Sequence, residues 1–202
     1  KSSEVGDRVV WPEEIRMIWA SLDKSKCYPT TKNAIKLATL TAARLGEIRH
    51  MEICDIDLEK KLWTIPKEKS KTNKKFVRPL GPIAFEIIKW QIETFGGFTP
   101  YVFPSGSYER HISAQTINKL SRSLVKREAM EPWSSHDFRR SLSTVLSSKK
   151  VKLHVTEKML GHSLGGILAV YNKHNWLEEQ REAYELWENL LFNSENNDQI
   201  FK

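Results

Sequence analysis

The hydrophobic period changes twice along this chain, and nothing else in the sequence constrains the fold as tightly. On either side of residues 53–80, apolar residues recur at three- and four-residue intervals, the spacing of helices with one buried face. Within that window Ile53, Ile56 and Leu58, then Leu62, Trp63 and Ile65, then Phe76, Val77 and Leu80 form three short runs of strand type. The chain reads as helices, one block of three short strands, and helices again.

The helical segments carry their own boundary signals. Pro12, Glu13 and Glu14 open the first, because proline suits the first helical position and acids suit the positive end of the dipole. Ile15, Ile18, Trp19 and Leu22 form its apolar face. Thr30 or Thr31 is expected to cap the second helix, along which Ala34, Ile35, Ala38 and Ala42 recur. Gly46 is expected to permit a bend or a close approach. Gly81-Pro82 restarts helical spacing up to Phe95, with Phe85, Ile88 and Ile92 inward and Gly96-Gly97 at the end. Tyr101–Ser105 reads as a short extended piece. Ser113 is expected to cap a helix to Arg127 with Ile117, Leu120 and Leu124 inward and Lys119, Arg122 and Lys126 outward. Ser134 or Ser135 starts the helix bearing His136, Arg139 and Arg140, anchored by Phe138, Leu142, Val145 and Leu146. A short helix over 156–160 stops at Gly161, and a turn at Ser163–Gly166 precedes Tyr171 on a further short helical segment. The segment Trp176–Phe192 has five Glu and one basic residue, Arg181. Its stripe of Trp176, Ala183, Tyr184, Trp187, Leu190 and Leu191 either packs on its own domain or docks on a neighbouring subunit.

At 202 residues the chain can bury a full core and makes one or at most two domains. A net charge of +7 points to an acidic partner, nucleic acid ahead of a membrane surface. No apolar run is long enough for a membrane span, and no signal peptide is visible. Cys27 and Cys54 form no C-x-x-C, which fits a reducing compartment, so a cytoplasmic, DNA-associated location is expected. The first residue is Lys, not Met, and the chain is expected to be a piece of a longer protein. Residues 1–10 then read as the end of an interdomain linker, 11–192 as the domain, and 193–202 as a flexible tail.

Positive charge is concentrated in two places. Between Pro132 and His174 seven Lys/Arg accompany two acids, Asp137 and Glu157; from Lys60 to Arg78 eight bases accompany one acid, Glu68. Such a run is either a solvated face or a surface for the DNA backbone, since like charges on one hairpin repel unless an anion is near. Arg44 and Glu47 stand three apart, so Glu47 either orients the guanidinium or forms an ordinary exposed pair. His136 and Arg139 share a face near a helix N-terminus, where backbone N–H groups add to an anion site. Transfer of a phosphodiester needs a nucleophile, neutralisation of the non-bridging oxygens and a proton for the leaving oxygen. Arg44 and Arg139, from different segments, can clamp a phosphate. Tyr171 offers a phenol, Lys71 a proton, and His136 and His162 further donors. There is no carboxylate cluster for Mg²⁺, and the spacing of His154, His162 and His174 matches no zinc motif. Gly161 and Gly166 have P-loop separation, but Ile167 and Leu168 stand where Lys and Ser/Thr are required.

Ala43-Arg44-Leu45-Gly46-Glu47, the Lys71 hairpin, His136-Asp137-Phe138-Arg139-Arg140, Leu160-Gly161-His162 and Tyr171, in that order, resemble the tyrosine recombinases, in particular phage and genomic-island integrases. The resemblance runs from Pro12 to Leu191. It implies a mainly α domain with a small antiparallel β-sheet (α+β). It also implies DNA cleavage and rejoining through a 3′-phosphotyrosyl link, without metal or cofactor. By the same resemblance Arg44 and Arg139 clamp the phosphate, Lys71 is the general acid, and His136 and His162 bond the phosphate and assist proton transfer. Glu47 supports the site and Tyr171 attacks. Lys69, Lys74, Lys75 and Arg140 are expected DNA contacts. The implied partners are double-stranded DNA attachment sites, a homotetramer on DNA joined through the C-terminal helix, and accessory DNA-bending or directionality factors. The resemblance implies separate N-terminal DNA-binding domains, which are expected to lie outside these 202 residues, so weak DNA affinity is expected of this chain. A non-cleaving DNA-binding module of the same descent is one alternative, disfavoured by the intact signature. A type IB topoisomerase-like enzyme is another, disfavoured by the acidic terminal helix and the Gly-His and HDFRR contexts.

Overall fold

The computed structural model describes residues 8–162 and 174–192. The residues before Arg8, the turn at Ser163–Gly166, Tyr171 and the tail beyond Phe192 lie outside the described residues. The helices are α1 (Pro12–Lys24), α2 (Pro29–Thr41), α3 (Leu45–Arg49), α4 (Pro82–Phe95), α5 (Ala114–Arg127), α6 (Ser135–Ser148), α7 (Leu153–Met159) and α8 (Leu177–Phe192). Between α3 and α4 run β1 (Ile56–Asp57), β2 (Leu62–Ile65) and β3 (Phe76–Pro79). They form one antiparallel sheet in the order β1-β2-β3, with Trp63 opposite both Ile56 and Arg78.

α2 is the central strut. Ala34, Ile35, Leu37, Ala38, Thr39 and Leu40 are all buried, and the helix touches α1, α3, α4, α5, α6 and α8. Its start differs from expectation. Pro29 occupies the first position and holds Tyr28 extended as the N-cap, so Thr30 and Thr31 are buried inside the helix and cap nothing. α1 begins at Pro12 as expected, with Ile15, Ile18 and Leu22 fully buried. Ser113 caps α5, its Oγ accepting from the Thr116 amide at 3.1 Å, and Ile117, Leu120 and Leu124 face inward. Ile53 lies in a 3₁₀ turn (Ile53–Asp55) rather than in a strand, because Asp55 Oδ2 accepts from the Glu52 amide at 2.9 Å and tightens the chain there. α7 starts three residues earlier than its apolar spacing suggests, with Leu153 left exposed at its first position.

α8 settles where its stripe goes. Tyr184, Trp187, Leu190 and Leu191 are buried within their own chain against α1, α2, α4, α6, α7 and β3. Burying a side chain of this size is worth about 1.5–3 kcal/mol, so detaching four of them would cost roughly 6–12 kcal/mol, comparable to the stability of a whole domain. Of the two readings of this stripe, packing on its own domain is the one seen here; the acidic face with Glu178, Glu179, Glu182 and Glu185 points outward. Among the described residues no helix is long and apolar enough to cross a membrane.

Candidate active site

The site is built where α2 and α7 end. α2 closes at Ala42, whose φ of 50° lies in the left-handed region that costs a residue with a Cβ about 1–2 kcal/mol. This turn takes Arg44 off the α2 axis and makes it the N-cap of α3. Glu47, in the first turn of α3, reaches back over that end. Its Oε2 accepts from the Arg44 amide at 3.1 Å and its Oε1 from Arg44 Nη1 at 2.9 Å. Glu47 is 2% exposed, so this is a buried brace and not a solvated surface pair. Gly46 beside it was expected to allow a bend or close approach, yet a Cβ built there meets nothing within 4 Å.

α7 closes with a glycine. Gly161 has a φ of 64°, its amide donates to Lys158 O, and the His162 amide donates to Glu157 O, both at 2.9 Å. These two bonds define a Schellman end, which requires the left-handed conformation at Gly161. The same glycine lies against β3, since a Cβ there would sit 2.7 Å from the Phe76 ring. His162 is thereby folded back over the last turn. Its Nδ1 is 2.9 Å from Glu157 Oε2 and its Nε2 is 3.0 Å from Arg139 Nη2.

Arg139 joins the two helix ends. It sits one turn into α6, whose start is capped by Asp137: Oδ2 accepts from both the amide and the hydroxyl of Ser134 at 2.8 Å. Arg139 Nη1 donates to Ala42 O at 2.6 Å and Nη2 to Leu160 O at 2.8 Å. The adjacent carbonyls are served from below. Arg78 Nε and Nη2 donate to Met159 O at 3.4 and 3.1 Å, and Tyr184 Oη lies 3.2 Å from Thr41 O and 3.1 Å from Met159 O. The last carbonyls of a helix have no partner inside it and carry the negative end of its dipole. Two such ends converge here, which is why buried guanidinium groups are stable at this place.

Charge is left over. Arg44, Arg78 and Arg139 surround one carboxylate, Glu47, whose Oε2 is also 3.5 Å from Arg78 Nη2. Burial pushes the Arg139 guanidinium down to about 10, Arg44 and Arg78 push it the same way, and Glu47 offsets part of this. It stays protonated at neutral pH, and an incoming oxyanion would relieve the repulsion. His136, near the start of α6, is held below the usual imidazole range by desolvation and then by Arg139 and Arg140. Among the described residues no group of three or more His, Cys, Asp or Glu is placed to hold a metal ion.

The basic run at 60–78 does not act as one surface. Lys69 is held by Glu52 at 3.1 Å and Asp55 at 2.7 Å. Burial lowers its pKa, but these two carboxylates outweigh that and hold it above the usual lysine value. It was expected to contact DNA; in the structure its ammonium is engaged by these two carboxylates. Arg78 is fully buried, and Lys60 and Lys67 lie 4.0 and 3.9 Å from Asp57 and Glu68. Arg140, another expected DNA contact, is turned onto Asp137 at 2.8 Å. Lys71, Lys74 and Lys75 are exposed, with no ion-pair partner among the described residues. Lys71 occupies the tip of a turn closed by the Asn73 amide donating to Ser70 O at 3.1 Å, and no bond ties it to the arginine cluster.

The structure thus brings Arg44, Glu47, Arg139 and His162 into one connected group, leaves Lys71 apart on its hairpin and places His136 on the rim. Three members were not anticipated as site residues: Arg78, Tyr184 and Glu157. Arg78 had a usable signal, because a strand partner of the core residue Trp63 shares its face.

The sequence profile of the phage integrase family matches residues 8–178. The chain is 34% identical over 152 residues to prophage integrase IntZ of Escherichia coli (strain K12), an alignment covering 74% of this chain and 37% of that protein. It is 25% identical over 159 residues to the integrase of Shigella phage Sf6, covering 78% of this chain and 41% of that one. The chain spans less than half the length of these two curated relatives. It superposes on the integrase from mycobacterium phage Brujita with a TM-score of 0.66 at 20% identity, over 92% of this chain and 59% of that one. A lambda integrase tetramer bound to a Holliday junction gives 0.63 at 20% identity, over 87% and 50%. The fold, helical with a small antiparallel sheet, is shared with these structures.

Proposed function

We propose that this chain, which belongs to the phage integrase family, is the part of a site-specific tyrosine recombinase that cleaves and rejoins DNA strands through a covalent 3′-phosphotyrosyl intermediate. The observation that carries this reading is the convergence of Arg139, His162 and the Arg44–Glu47 brace on two helix ends with excess positive charge. Arg44 and the free N–H groups of Arg139 hold the non-bridging oxygens of the scissile phosphate. Loss of one such preorganised donor costs about 3–4 kcal/mol of transition-state stabilisation. The Tyr171 oxygen attacks phosphorus, the bond to the 5′ oxygen breaks, and Lys71 protonates that oxygen. The phenolic proton passes to His136 or His162. A 5′ hydroxyl then attacks the phosphotyrosine and reverses these steps. The covalent link conserves the phosphodiester energy, so strand exchange needs no ATP, and the guanidinium groups supply the positive charge without a metal or cofactor.

The relatives named as prophage and phage integrases support integration or excision of a prophage or genomic island as the biological task. The lambda tetramer on a Holliday junction supports double-stranded DNA as the substrate and a homotetramer as the acting form; attachment sites, accessory DNA-bending or directionality factors and a cytoplasmic location belong to the same proposal. Lys74 and Lys75 are the hairpin residues free to meet the DNA backbone. A nicked suicide substrate carrying the parent element's attachment sequence tests the reading. A covalent adduct that Tyr171→Phe abolishes is expected; a stable complex of the full-length protein without any adduct would refute it.

A further inference from the structure

We propose that Glu157 is a positioning residue that locks His162 in the tautomer protonated at Nδ1 and aims Nε2 at the Arg139 guanidinium. The proposal rests on the reading of His162 as a group of the DNA-cleaving site.

Glu157 and His162 are the two residues whose backbones close the Schellman end of α7, through the 2.9 Å bond from the His162 amide to Glu157 O. In that motif this pair of positions is commonly joined by an apolar contact. Here the side chains are polar and make a second bond between the same two residues, Nδ1 to Oε2 at 2.9 Å. Main chain and side chain together fix the imidazole on this helix end.

The partners then decide the proton. An ionised carboxylate only accepts, so the hydrogen in the Glu157 contact belongs to Nδ1. A guanidinium only donates, so the 3.0 Å contact with Arg139 Nη2 is made by an unprotonated Nε2. Both contacts require the same tautomer. The other tautomer would set a lone pair against the carboxylate and an N–H against an N–H. Arg139 cannot swing to accommodate it, being anchored on Ala42 O and Leu160 O.

The two partners differ once DNA arrives. A phosphate oxygen competes for Arg139, whereas Glu157 remains attached to Nδ1. Glu157 also suits the imidazolium form, because it still accepts at Nδ1 while Nε2–H turns to the phosphate oxygen. One carboxylate therefore keeps the ring aimed in both protonation states. The side chains are 30% exposed at Glu157 and 38% at His162, so the carboxylate can be replaced without disturbing the core.

Histidine ¹⁵N spectra of the chain, recorded well above the ordinary imidazole range, read the tautomer without any cleavage. Wild type is expected to show His162 protonated at Nδ1, Glu157→Gln to retain this through its Oε1, and Glu157→Ala, in which only the Arg139 contact still favours it, to shift part of the population to the other tautomer. A Glu157→Ala spectrum identical to wild type would overturn the proposal. On a suicide substrate, positioned proton transfer is worth about 10²–10⁴-fold. Glu157→Ala is expected to lower the cleavage rate constant by at least tenfold with unchanged DNA affinity, and Glu157→Gln to recover most of it. Equal rates for wild type and Glu157→Ala would also overturn it. Absence of cleavage by the wild-type full-length protein would instead defeat the recombinase reading, leaving the spectrum to judge the tautomer lock.

Discussion

Replacing Gly161 by alanine should expose how strongly the end of α7 is held. Two costs add. A φ of 64° is unfavourable for any residue with a Cβ by about 1–2 kcal/mol. The new methyl would also lie 2.7 Å from Phe76 Cζ and 3.0 Å from Cε2, and overpacking of a ring held in the sheet costs about 1–3 kcal/mol. Alanine stiffens the unfolded chain and returns about 0.4–1 kcal/mol. The net expectation is a loss of roughly 2–4 kcal/mol. The domain would remain folded, since domains of this size have about 5–15 kcal/mol. Gly46→Ala is the control: its Cβ meets nothing within 4 Å in a helical turn, so it should gain about 0.4–1 kcal/mol. Urea denaturation with a constant slope measures both. Adding Phe76→Leu to Gly161→Ala should recover the steric part and leave the backbone part of about 1–2 kcal/mol. A Gly161→Ala loss under ~1 kcal/mol, or no recovery in the double variant, would refute the claim that the glycine is required on both counts.

Lys71→Ala should abolish cleavage of ordinary DNA and be rescued by a 5′-bridging phosphorothiolate, whose leaving group needs no proton; rescue of Lys69→Ala instead would reverse the assignment. Glu188→Ala removes the acceptor of the Ile83 and Ala84 amides at 2.7 and 3.1 Å, stranding two N–H groups at the start of α4. At about 1–3 kcal/mol per stranded group, a loss of roughly 2–5 kcal/mol is expected in urea melts. Burial raises the folded pKa of Glu188 above its unfolded value, although the two amides oppose this. Its protonated form therefore adds stability that is complete below the unfolded value of about 4.5 and is lost as pH rises through the folded value. A Glu188→Gln variant should lack that slope between wild-type melts recorded across this window. His136 is held low by desolvation and by Arg139 and Arg140, and a bound phosphate pushes the other way. Binding should then take up a proton, so DNA affinity at fixed salt should rise as pH falls through the imidazole range, and His136→Ala should flatten the curve.

What could be read from the chain and what could not divides by the range of the interactions. Arg44 with Glu47 is a three-residue relation on one helical turn, so spacing alone offered it; Asp137 with Ser134 and Arg140 has the same spacing, but the expectation for Arg140 was a DNA contact. Pro12 and Ser113 marked helix starts for the same local reason. Thr30 and Thr31 misled because a proline one residue earlier had already set the N-terminus. The basic run was legible only as a tally of charge, which treats every lysine as free. Whether Lys69 reaches DNA depends on Glu52 and Asp55, which the sheet brings beside it from more than ten residues upstream. Arg78 and Tyr184 meet only because α8 crosses behind β3, a packing relation across 106 residues that no local pattern announces.

The arginines of the site carry two duties that constrain one another. Arg139 holds Ala42 O and Leu160 O, so it fastens the end of α2 to the end of α7 before any DNA is present. Arg78, through Met159 O, Tyr184 Oη and Glu47, does the same one layer deeper. Rigid placement of these guanidinium groups follows from this, because the donors cannot move without releasing two helices. The same fastening concentrates more cation than anion in a poorly solvated space, which opposes folding and favours any bound phosphate. Glu47 sets the balance between the two. Its charge leaves the three guanidinium groups short of neutrality even with Glu157 behind His162, and a further buried carboxylate would steady the fold while neutralising the field proposed to hold a phosphate.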